Sequence, residues 1–504
     1  MCQVDEAYHD DLEQEKVSSV SKKCVKCKET IAVVAIRAGD QYCRDCFEQY
    51  FLHKFRATLG KNRVIFPGEK VLLAVSGGPS SSSMLRQVQE GLSQNAHKKL
   101  RFVPGIVYID EGGALNRSME ERRQTVAKLK DIFIATGFPF HIVPLEEVLD
   151  VPGSVLAMAP SSSPTQASSD KASVDRFFCN NSCSCLTPEQ QQQQQHETSS
   201  LYVEESQTQL LQQLLDSSKT LTTKAELVSV LRQHLLVHTA RCEGYSKLMF
   251  GDNCTRLAVK LLISISLGRG AQLAQDTSFS DSRYGDIISL RPMRNYSAKE
   301  IAYYNHIFNV PSVFTPNLHT KSKEKASIQC LTESFVTKLQ VDFPSTVSTI
   351  YRTSEKLQTT CKSSSSANPC DRCLLCMCSL DTAVENASAF QSTLISERLC
   401  QTKCVGANSA SFPSQNTELR GPSTQCCSKG KGEYCDRPME DRGCCSGVRV
   451  PDTTDIRGLL CYSCQLTIKD MSSVDCLPQY ILSEAQIRQR RSRMREEISD
   501  FLLD

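Results

Sequence analysis

The sequence predicts an α/β protein built on a doubly wound parallel sheet, with an N-terminal four-cysteine zinc ribbon and a cysteine-rich C-terminal region. Three observations predict this class. Short apolar runs rich in β-branched residues alternate with amphipathic helical segments, which is typical of a parallel sheet. Two Cys-x-x-Cys pairs stand close together near the start of the chain. Further pairs of this kind stand near its end.

Composition narrows the classes of protein that fit the chain. The 504 residues suffice for about two to four domains, and the formal net charge of +2 argues against a general polyanion-binding surface. No apolar run reaches the roughly 18 residues that a membrane span needs. The acidic, polar start, MCQVDEAYHDD, argues against a secretory signal or a transit peptide. We therefore expect the 26 cysteines to be metal ligands and free thiols in a reducing compartment.

Residues 21–60 predict a zinc ribbon followed by a helix. Cys24, Cys27, Cys43 and Cys46 form two Cys-x-x-Cys pairs with fifteen residues between them. Four thiolates at such a spacing are the ligands of a tetrahedral structural zinc site. The segment between the pairs has the pattern of a strand and a Gly-Asp turn. Four reduced cysteines without a metal are the alternative.

A glycine turn joins the apolar run Val71–Val75 to a helical pattern. The chain breaks at Ser76-Gly77-Gly78-Pro79 and then continues with apolar residues at helical spacing. Glycines let the backbone approach a ligand closely, and the N–H groups at a helix N-terminus favour an anion. The turn therefore predicts a phosphate site, although a plain strand-to-helix connection has the same local pattern.

Strands and helices continue to alternate over 61–150 and 209–345, which together form the predicted α/β domain. Strands are predicted at Val71–Val75, Arg101–Ile109, Phe140–Leu145, Lys247–Phe250 and Ile287–Leu290. A capping box at Ser297-x-x-Glu300 predicts the start of a helix that runs to Asn309. A ligand of such a sheet binds at the carboxyl ends of its strands, where the glycine turn lies.

Three segments are predicted to lack a packed core. Residues 1–20 are an acidic, flexible leader, and 151–208 and 383–456 are expected to be disordered inserts. The first insert is rich in Ser and Pro and carries the glutamine run Gln190–Gln195, while the second is rich in Ser and Cys. Such compositions bury too little apolar surface to offset the entropy of ordering.

The segments 346–382 and 457–504 form the cysteine-rich C-terminal region. A second zinc site is predicted at Cys370, Cys373, Cys461 and Cys464. Cys376 and Cys378 compete for the same role. The charged segment Ile487–Leu503 predicts a helix that fits a solvated face, a partner helix or an RNA contact.

These motifs, in this order, resemble the cytoplasmic tRNA 2-thiolation protein 2 family of PP-loop ATPase-like proteins. The motifs are the four-cysteine ribbon, Ser76-Gly77-Gly78-Pro79-Ser80-Ser81, Phe250-Gly251-Asp252-Asn253, and Ser289-Leu290-Arg291-Pro292. The resemblance covers about residues 20–150 and 210–345, together with the two Cys-x-x-Cys pairs near the end of the chain. It implies an adenine-nucleotide α-hydrolase-like fold. By resemblance, nucleotide-binding positions are Ser76, Gly77, Gly78, Ser80, Ser81, Gly251 and Asp252.

The resemblance also implies a function. The family's complex places sulfur on carbon 2 of the wobble uridine, position 34, in the cytosolic tRNAs for lysine, glutamine and glutamate. ATP adenylates the uridine oxygen, and a thiocarboxylated ubiquitin-related carrier supplies the sulfur. The implied partners are a catalytic thiouridylase subunit in a heterodimer, the carrier and tRNA, with no membrane. Structural zinc and ATP or AMP are the implied cofactors, and the cytoplasm is the implied compartment.

The chain departs from the active enzymes of this group at their reactive positions. They carry Asp where Ser80 stands, and GHNxDD where Gly251–Thr255 reads GDNCT. They carry a Cys-x-x-Cys pair near Leu221–Thr223 and a further cysteine near Phe314–Asn317, and this chain has no cysteine in either place. The departures imply that this chain has no catalytic residue and that it is a partner which assists the active subunit.

Two other functions stay open from the sequence. An independent ATP-dependent sulfurtransferase or ligase would use Cys254 or Cys330 as its thiol. A zinc-ribbon adaptor would bind RNA without any nucleotide. The sequence leaves open whether the chain is itself an enzyme.

Overall fold

The computed structural model of the chain describes residues 23–37, 39–94, 96, 99–157, 203–320, 322–323, 325–356, 372–380 and 456–499. The chain divides into two compact units. The first joins Met1–Asp381 to Leu459–Asp504, and the second is Thr382–Gly458. Only residues 456–458 of the second unit are described, so the elements below belong to the first.

The N-terminal part is a hairpin followed by a long helix. Strands β1 (Val34–Arg37) and β2 (Asp40–Tyr42) pair antiparallel, and helix α1 (Arg44–Asn62) follows directly. Gly39 has φ +91°, a left-handed conformation that glycine adopts at no steric cost. The predicted strand, turn and helix of this region are confirmed.

A six-stranded sheet forms the centre of the protein. Its strands are β3 (Lys70–Ala74), β4 (Val103–Asp110), β5 (Phe140–Pro144), β6 (Lys247–Phe250), β7 (Ser280–Asp281) and β8 (Ile288–Leu290). The strand order is β5-β4-β3-β6-β8-β7, and every pair is parallel except β7 with β8. The α/β class with a doubly wound sheet is confirmed. The prediction missed the antiparallel edge, because β7 has only two residues and no apolar pattern.

Helices surround this sheet and cover its two faces. They are α2 (Pro79–Leu92), α3 (Met119–Ile134), α4 (Glu205–Asp216), α5 (Leu221–Cys242), α6 (Cys254–Ser266), α7 (Leu273–Thr277), α8 (Ala298–Ile307), α9 (Ile328–Asp342), α10 (Thr346–Lys356), α11 (Tyr462–Asp470) and α12 (Gln479–Ser499). The capping box of α8 is confirmed, with both Ser297 and Glu300 in place. None of the helices in the described ranges combines the length and apolarity that crossing a bilayer requires.

The core on one face of the sheet follows from the alternation of β3. Val71, Leu73 and Val75 point into a cluster to which α1, α2, α3 and α8 each contribute. The intervening Leu72 is also fully buried, as expected for a strand covered on both faces. Helix α5 packs against β4 and β6.

The order of the strands reverses between β3 and β6. From β3 the chain moves outward through β4 and β5, then returns to β6 and moves the other way to β8. Ligands of open α/β sheets bind at such a switch point, outside the carboxyl ends of the two strands. Two predicted motifs, at 76–81 and 250–253, follow β3 and β6 directly and so meet there.

The first predicted insert is shorter than 151–208. Gly153–Leu156 form a 3-10 helix with Val155 and Leu156 buried, and α4 begins at Glu205. The sequence lacked a periodic signal in these few residues, so the prediction was wrong at both ends of the insert. Residues 158–202, the leader 1–20 and residues 383–455 lie outside the described ranges.

A buried ion triad ties together three consecutive parts of the domain. Arg122 on α3 donates from Nε to Asp110 at the end of β4, at 2.7 Å. It also donates from Nη1 and Nη2 to the two oxygens of Glu146, after β5, at 2.7 and 3.0 Å. All three side chains are at most 2% exposed. One buried cation therefore partly offsets the charge of two carboxylates, each of which would be costly to bury alone.

The triad generates a stability prediction. Arg122→Met leaves two buried carboxylates without their cation, so we expect a loss of about 3–5 kcal/mol in the free energy of unfolding. The matched control is Arg86→Met, which removes a surface ion pair with Glu90 and is expected to change stability little. Denaturant titration of both variants measures the difference. Equal losses would contradict a special role for the triad.

Candidate functional site

The glycine turn is held in shape by its own hydroxyl groups. Gly77 has φ +81°, and Ser82 donates its hydroxyl to the Gly77 carbonyl oxygen at 3.2 Å. The Ser81 hydroxyl donates to the Gly78 carbonyl at 3.0 Å and lies 3.3 Å from that of Ser76. The sequence therefore folds the backbone into a rigid bend ahead of α2. The amides of the first helical turn and the helix dipole give this bend a partial positive charge.

The second motif packs directly on this turn. A Cβ at Gly251 would lie 2.8 Å from both Cα and N of Ser81, so only glycine allows the approach. Asn253 donates from Nδ2 to the Ser80 hydroxyl at 2.7 Å. Its Oδ1 accepts from Arg256 N at 2.8 Å and so caps α6. The structure brings the predicted positions Ser80, Ser81 and Gly251 together with the rest of the turn.

Asp252, the remaining predicted position, faces cations. Its carboxylate oxygens lie 3.7 Å from Arg256 Nε and 3.7 Å from Arg291 Nε. Burial raises the pKa of Asp252, but the nearby positive charges outweigh burial and hold the pKa below its usual value. Those charges belong to Lys260, Arg256, Arg291 and Arg232. The carboxylate is therefore ionised and already surrounded by positive charge.

A chain of ion pairs leads away from Asp252. Arg291 also lies 3.7 Å from Asp281, and Arg283 binds the same carboxylate at 2.8 Å. Arg283 then donates to the carbonyl oxygen of Cys376 at 3.3 Å and to Cys378 Sγ at 3.2 Å. The sequence singled out Arg291 within its Arg-Pro motif. It gave no local signal for the partners, which come from different elements.

Cys254 and Thr255, which follow Asn253, contact neighbouring helices. Cys254 is 8% exposed and packs in an apolar cluster with Leu257 and Val336. Thr255 accepts a hydrogen bond on Oγ1 from Ala298 N, at 3.2 Å, at the start of α8. Neither side chain carries a carboxyl group, so these two positions supply no acidic pair.

A connecting segment after α8 borders the turn. Val313 N donates to the Gly77 carbonyl at 2.9 Å, and the Thr315 hydroxyl donates to the Ser76 carbonyl at 3.0 Å. A Cβ at Gly77 would approach Val313 O to 3.2 Å and Leu129 to 2.9 Å. The segment therefore fixes one wall of the candidate site.

The four N-terminal cysteines come together as predicted. The sulfur atoms of Cys24, Cys27, Cys43 and Cys46 all lie within 4.8 Å of one another. The first two precede β1, and the other two bracket the start of α1. A set of four thiols at such distances fits a tetrahedral ion such as zinc.

A second set of four cysteines joins the C-terminal segments. The sulfur atoms of Cys373, Cys376, Cys461 and Cys464 lie within 4.8 Å of one another. Cys376, one of the alternatives left open by the sequence, therefore occupies the fourth position. Cys370, which was predicted for that position, lies outside the described residues.

His234 binds the segment that carries the second cysteine set to the α/β domain. The ring is fully buried on α5, with Nε2 2.8 Å from the Leu375 carbonyl and Nδ1 2.7 Å from the Tyr480 hydroxyl. Burial lowers the pKa of His234 to about 4, so the ring is neutral near pH 7. A carbonyl only accepts, so Nε2–H donates to Leu375 and Nδ1 accepts from Tyr480. The sequence gives no local signal for His234, because its partners Leu375 and Tyr480 are far away along the chain.

Known proteins are similar to this chain along its whole length. The family model described as "Cytoplasmic tRNA 2-thiolation protein 2" matches residues 327–466. A zebrafish (Danio rerio) protein of that name is 53% identical over 513 residues, covering 100% of this chain and 99% of the relative. The human (Homo sapiens) protein of that name is 48% identical over 522 residues, covering 100% and 98%.

Solved structures resemble the chain at lower identity. The U34-tRNA thiolase NcsA from Methanococcus maripaludis with its 4Fe-4S cluster aligns over 68% of this chain and 91% of that chain. The identity is 15% and the TM-score is 0.45.

The contact between the two motifs generates a prediction. Gly251→Ala forces a Cβ against the Ser81 backbone, so we expect a loss of about 1–3 kcal/mol in stability. Gly78→Ala is the matched control, because its Cβ would meet only Ser76 Oγ, at 3.7 Å, and its φ of −72° suits alanine. Thermal unfolding of the two variants tests the difference. A Gly251→Ala protein as stable as Gly78→Ala would contradict the close packing.

Proposed function

Because the chain belongs to the cytoplasmic tRNA 2-thiolation protein 2 family, we propose that it is the non-catalytic subunit of the complex that 2-thiolates the wobble uridine of cytosolic tRNAs. The family name indicates a role in cytoplasmic tRNA 2-thiolation, and it gives the cytoplasm as the compartment of the protein.

One observation carries the non-catalytic role. At the switch point, the hydroxyl of Ser80 receives a hydrogen bond from Asn253. The resemblance places an aspartate at position 80 in active members. Magnesium prefers carboxylate and phosphate oxygens, and a hydroxyl already bonded to an amide is a poor substitute. The scaffold for a phosphate is kept, while the group that would hold the metal of ATP is replaced.

The other reactive positions support the same proposal. Thr220 caps α5 by accepting from Thr223 N, and by the resemblance active members carry a pair of cysteines near Leu221–Thr223. Thr255 and Arg256 stand where GHNxDD has its acidic pair; Thr255 accepts a hydrogen bond from Ala298 N, and Arg256 faces Asp252. This combination fits a subunit that retains the fold and leaves bond-making to another chain.

The partners follow from the same role. The chain pairs with the catalytic thiouridylase subunit in a heterodimer and helps to bind or orient tRNA. The substrates are the tRNAs for lysine, glutamine and glutamate, and the thiocarboxylated ubiquitin-related carrier supplies sulfur to the complex. In this proposal AMP or ATP contacts the turn at Ser76, Gly77 and Gly78, with Gly251 behind it.

Zinc is the proposed structural metal of both cysteine clusters. Each set supplies four sulfur ligands, which closes a tetrahedral shell and leaves no open position for chemistry. Zinc at the second set would connect the knuckle Cys373–Cys376 to Cys461 and Cys464 on the far side of a long connection. The two sets therefore serve stability.

The functional proposal predicts the result of removing the chain. Cells without it are expected to lose 2-thiouridine at the wobble position of the three tRNAs, measured by mass spectrometry of digested tRNA. The purified chain, given ATP, sulfur donor and tRNA, is expected to form no 2-thiouridine until the catalytic subunit is added. Unchanged 2-thiouridine in the cells would refute the role, and turnover by the chain alone would identify an independent enzyme.

Zinc binding makes a separate prediction. The full-length protein is expected to contain two zinc ions, and Cys376→Ser is expected to contain one, because serine is a weak ligand for zinc. Cys378→Ser is the matched control, since Cys378 is buried beside the cluster but outside the set of four. Elemental analysis of purified protein measures the content. Loss of zinc in Cys378→Ser with retention in Cys376→Ser would overturn the ligand set.

A further inference from the structure

Two carboxylates that follow central strands of the sheet are opposed by arginines. Glu111, directly after β4, forms an ion pair with Arg232 of α5. Asp252, two residues after β6, lies 3.7 Å from Arg256 Nε and 3.7 Å from Arg291 Nε. Magnesium binds carboxylate and phosphate oxygens, and a carboxylate that already faces guanidinium groups repels a further cation less than it attracts them. Glu111 and Asp252 are therefore a poor fit for a magnesium ion.

Arg256 is the most accessible of these three arginines. Its side chain is 72% exposed, and its guanidinium makes no hydrogen bond within the described ranges, because 3.7 Å to Asp252 is too long for one. Its backbone N donates to Asn253 Oδ1 at 2.8 Å, and Asn253 Nδ2 donates to the Ser80 hydroxyl at 2.7 Å. One side-chain amide therefore ties the Arg256 backbone to the second residue of α2, beside the glycine turn.

Arg291 supplies a second guanidinium at the same edge of the sheet. It directly follows β8, which pairs parallel with β6. Its side chain is 6% exposed and donates from Nη1 to the Ser278 carbonyl oxygen at 3.0 Å. Its Nε is buried and has no hydrogen-bond partner in the part of the chain that the structure describes. A buried donor of this kind is explained when a ligand supplies the acceptor.

Positive charge exceeds negative charge around Asp252. The cations that act on it are Arg232, Arg256, Lys260 and Arg291. Two of them, Arg232 and Arg291, are shared with a second carboxylate. Arg256 and Lys260 have no second carboxylate as an ion-pair partner among the described residues. The start of α2 adds the partial positive charge of its N-terminus. An anion at this edge would therefore be attracted without the help of a metal ion.

We propose that Arg256 and Arg291 hold a phosphate group of AMP or ATP on the glycine turn without a magnesium ion. The inference rests on the proposed function, since it takes the nucleotide from there and assigns the groups that balance its charge. A planar guanidinium binds two phosphate oxygens through parallel hydrogen bonds, and the first N–H groups of α2 are available to a third oxygen. The two arginines supply the positive charge that magnesium supplies in enzymes that use ATP.

The first measurement compares nucleotide binding with and without magnesium. Full-length, zinc-loaded protein is titrated with AMP and with ATP by calorimetry in magnesium-free buffer, without a chelator that would remove zinc, and again with magnesium chloride. Both nucleotides are expected to bind without magnesium, and magnesium is expected to weaken the binding of ATP because it competes for the phosphate oxygens. No binding without magnesium, or tighter binding with it, would overturn the proposal. This comparison needs no variant to fold.

Variants then test the exposed arginine. Arg256→Gln is expected to weaken the binding of AMP by about tenfold, because it removes a charge-assisted contact with the phosphate, and Arg256→Lys is expected to recover part of the loss. Arg86→Gln is the matched control, since it removes the same charge from the exposed side of α2, about 10 Å along the helix from Pro79. Equal affinity for AMP in Arg256→Gln and Arg86→Gln would overturn the assignment of Arg256.

Failure of this inference is distinguishable from failure of the functional role. If the purified chain binds neither nucleotide, while removal of the chain from cells abolishes wobble 2-thiouridine, the phosphate site is refuted and the role in thiolation stands. If removal of the chain leaves 2-thiouridine unchanged, while AMP binds without magnesium and Arg256→Gln weakens it, the role is refuted and the phosphate site stands.

Discussion

The contact between the two turns at the switch point holds the rest of the site in register. Gly251 lies so close to the Ser81 backbone that no side chain fits between them, and Asn253 reaches across to Ser80. This contact fixes the carboxyl ends of β3 and β6 relative to each other. It also starts two helices, because α2 begins at the first turn and Asn253 caps α6. A shift of either turn would displace both helices together.

The same contact also decides how the polar groups at the two turns are paired. Here the hydroxyl of Ser80 and the amide of Asn253 satisfy each other without a metal. The turn is therefore stable in the free protein. Of the positive charges around Asp252, Arg291 is shared with a second carboxylate, that of Asp281.

Electrostatic and polar contacts also join the carboxyl-terminal edge of the sheet to the second cysteine set, which includes Cys376. Arg283 binds Asp281 on one side and the backbone of Cys376 on the other. His234 holds the Leu375 carbonyl from the opposite element, α5. The guanidinium of Arg283 and the buried, neutral imidazole of His234 thus attach the second cysteine set to the α/β domain. Its four thiols come from segments separated by more than eighty residues, and these contacts bring the segments together.

The sequence by itself determined the features whose cause is local. The alternation of apolar residues set the strands, the Gly-Gly turn set the bend at Gly77, and the Cys24–Cys46 spacing set the ribbon. The tertiary structure alone decided the antiparallel edge at β7, the ends of the first insert, the choice of Cys376 and the partners of His234. The physical reason is the distance along the chain over which each kind of interaction acts. Periodicity and turn chemistry act between neighbours, whereas ligand sets and buried ion pairs depend on distances that only the folded chain creates.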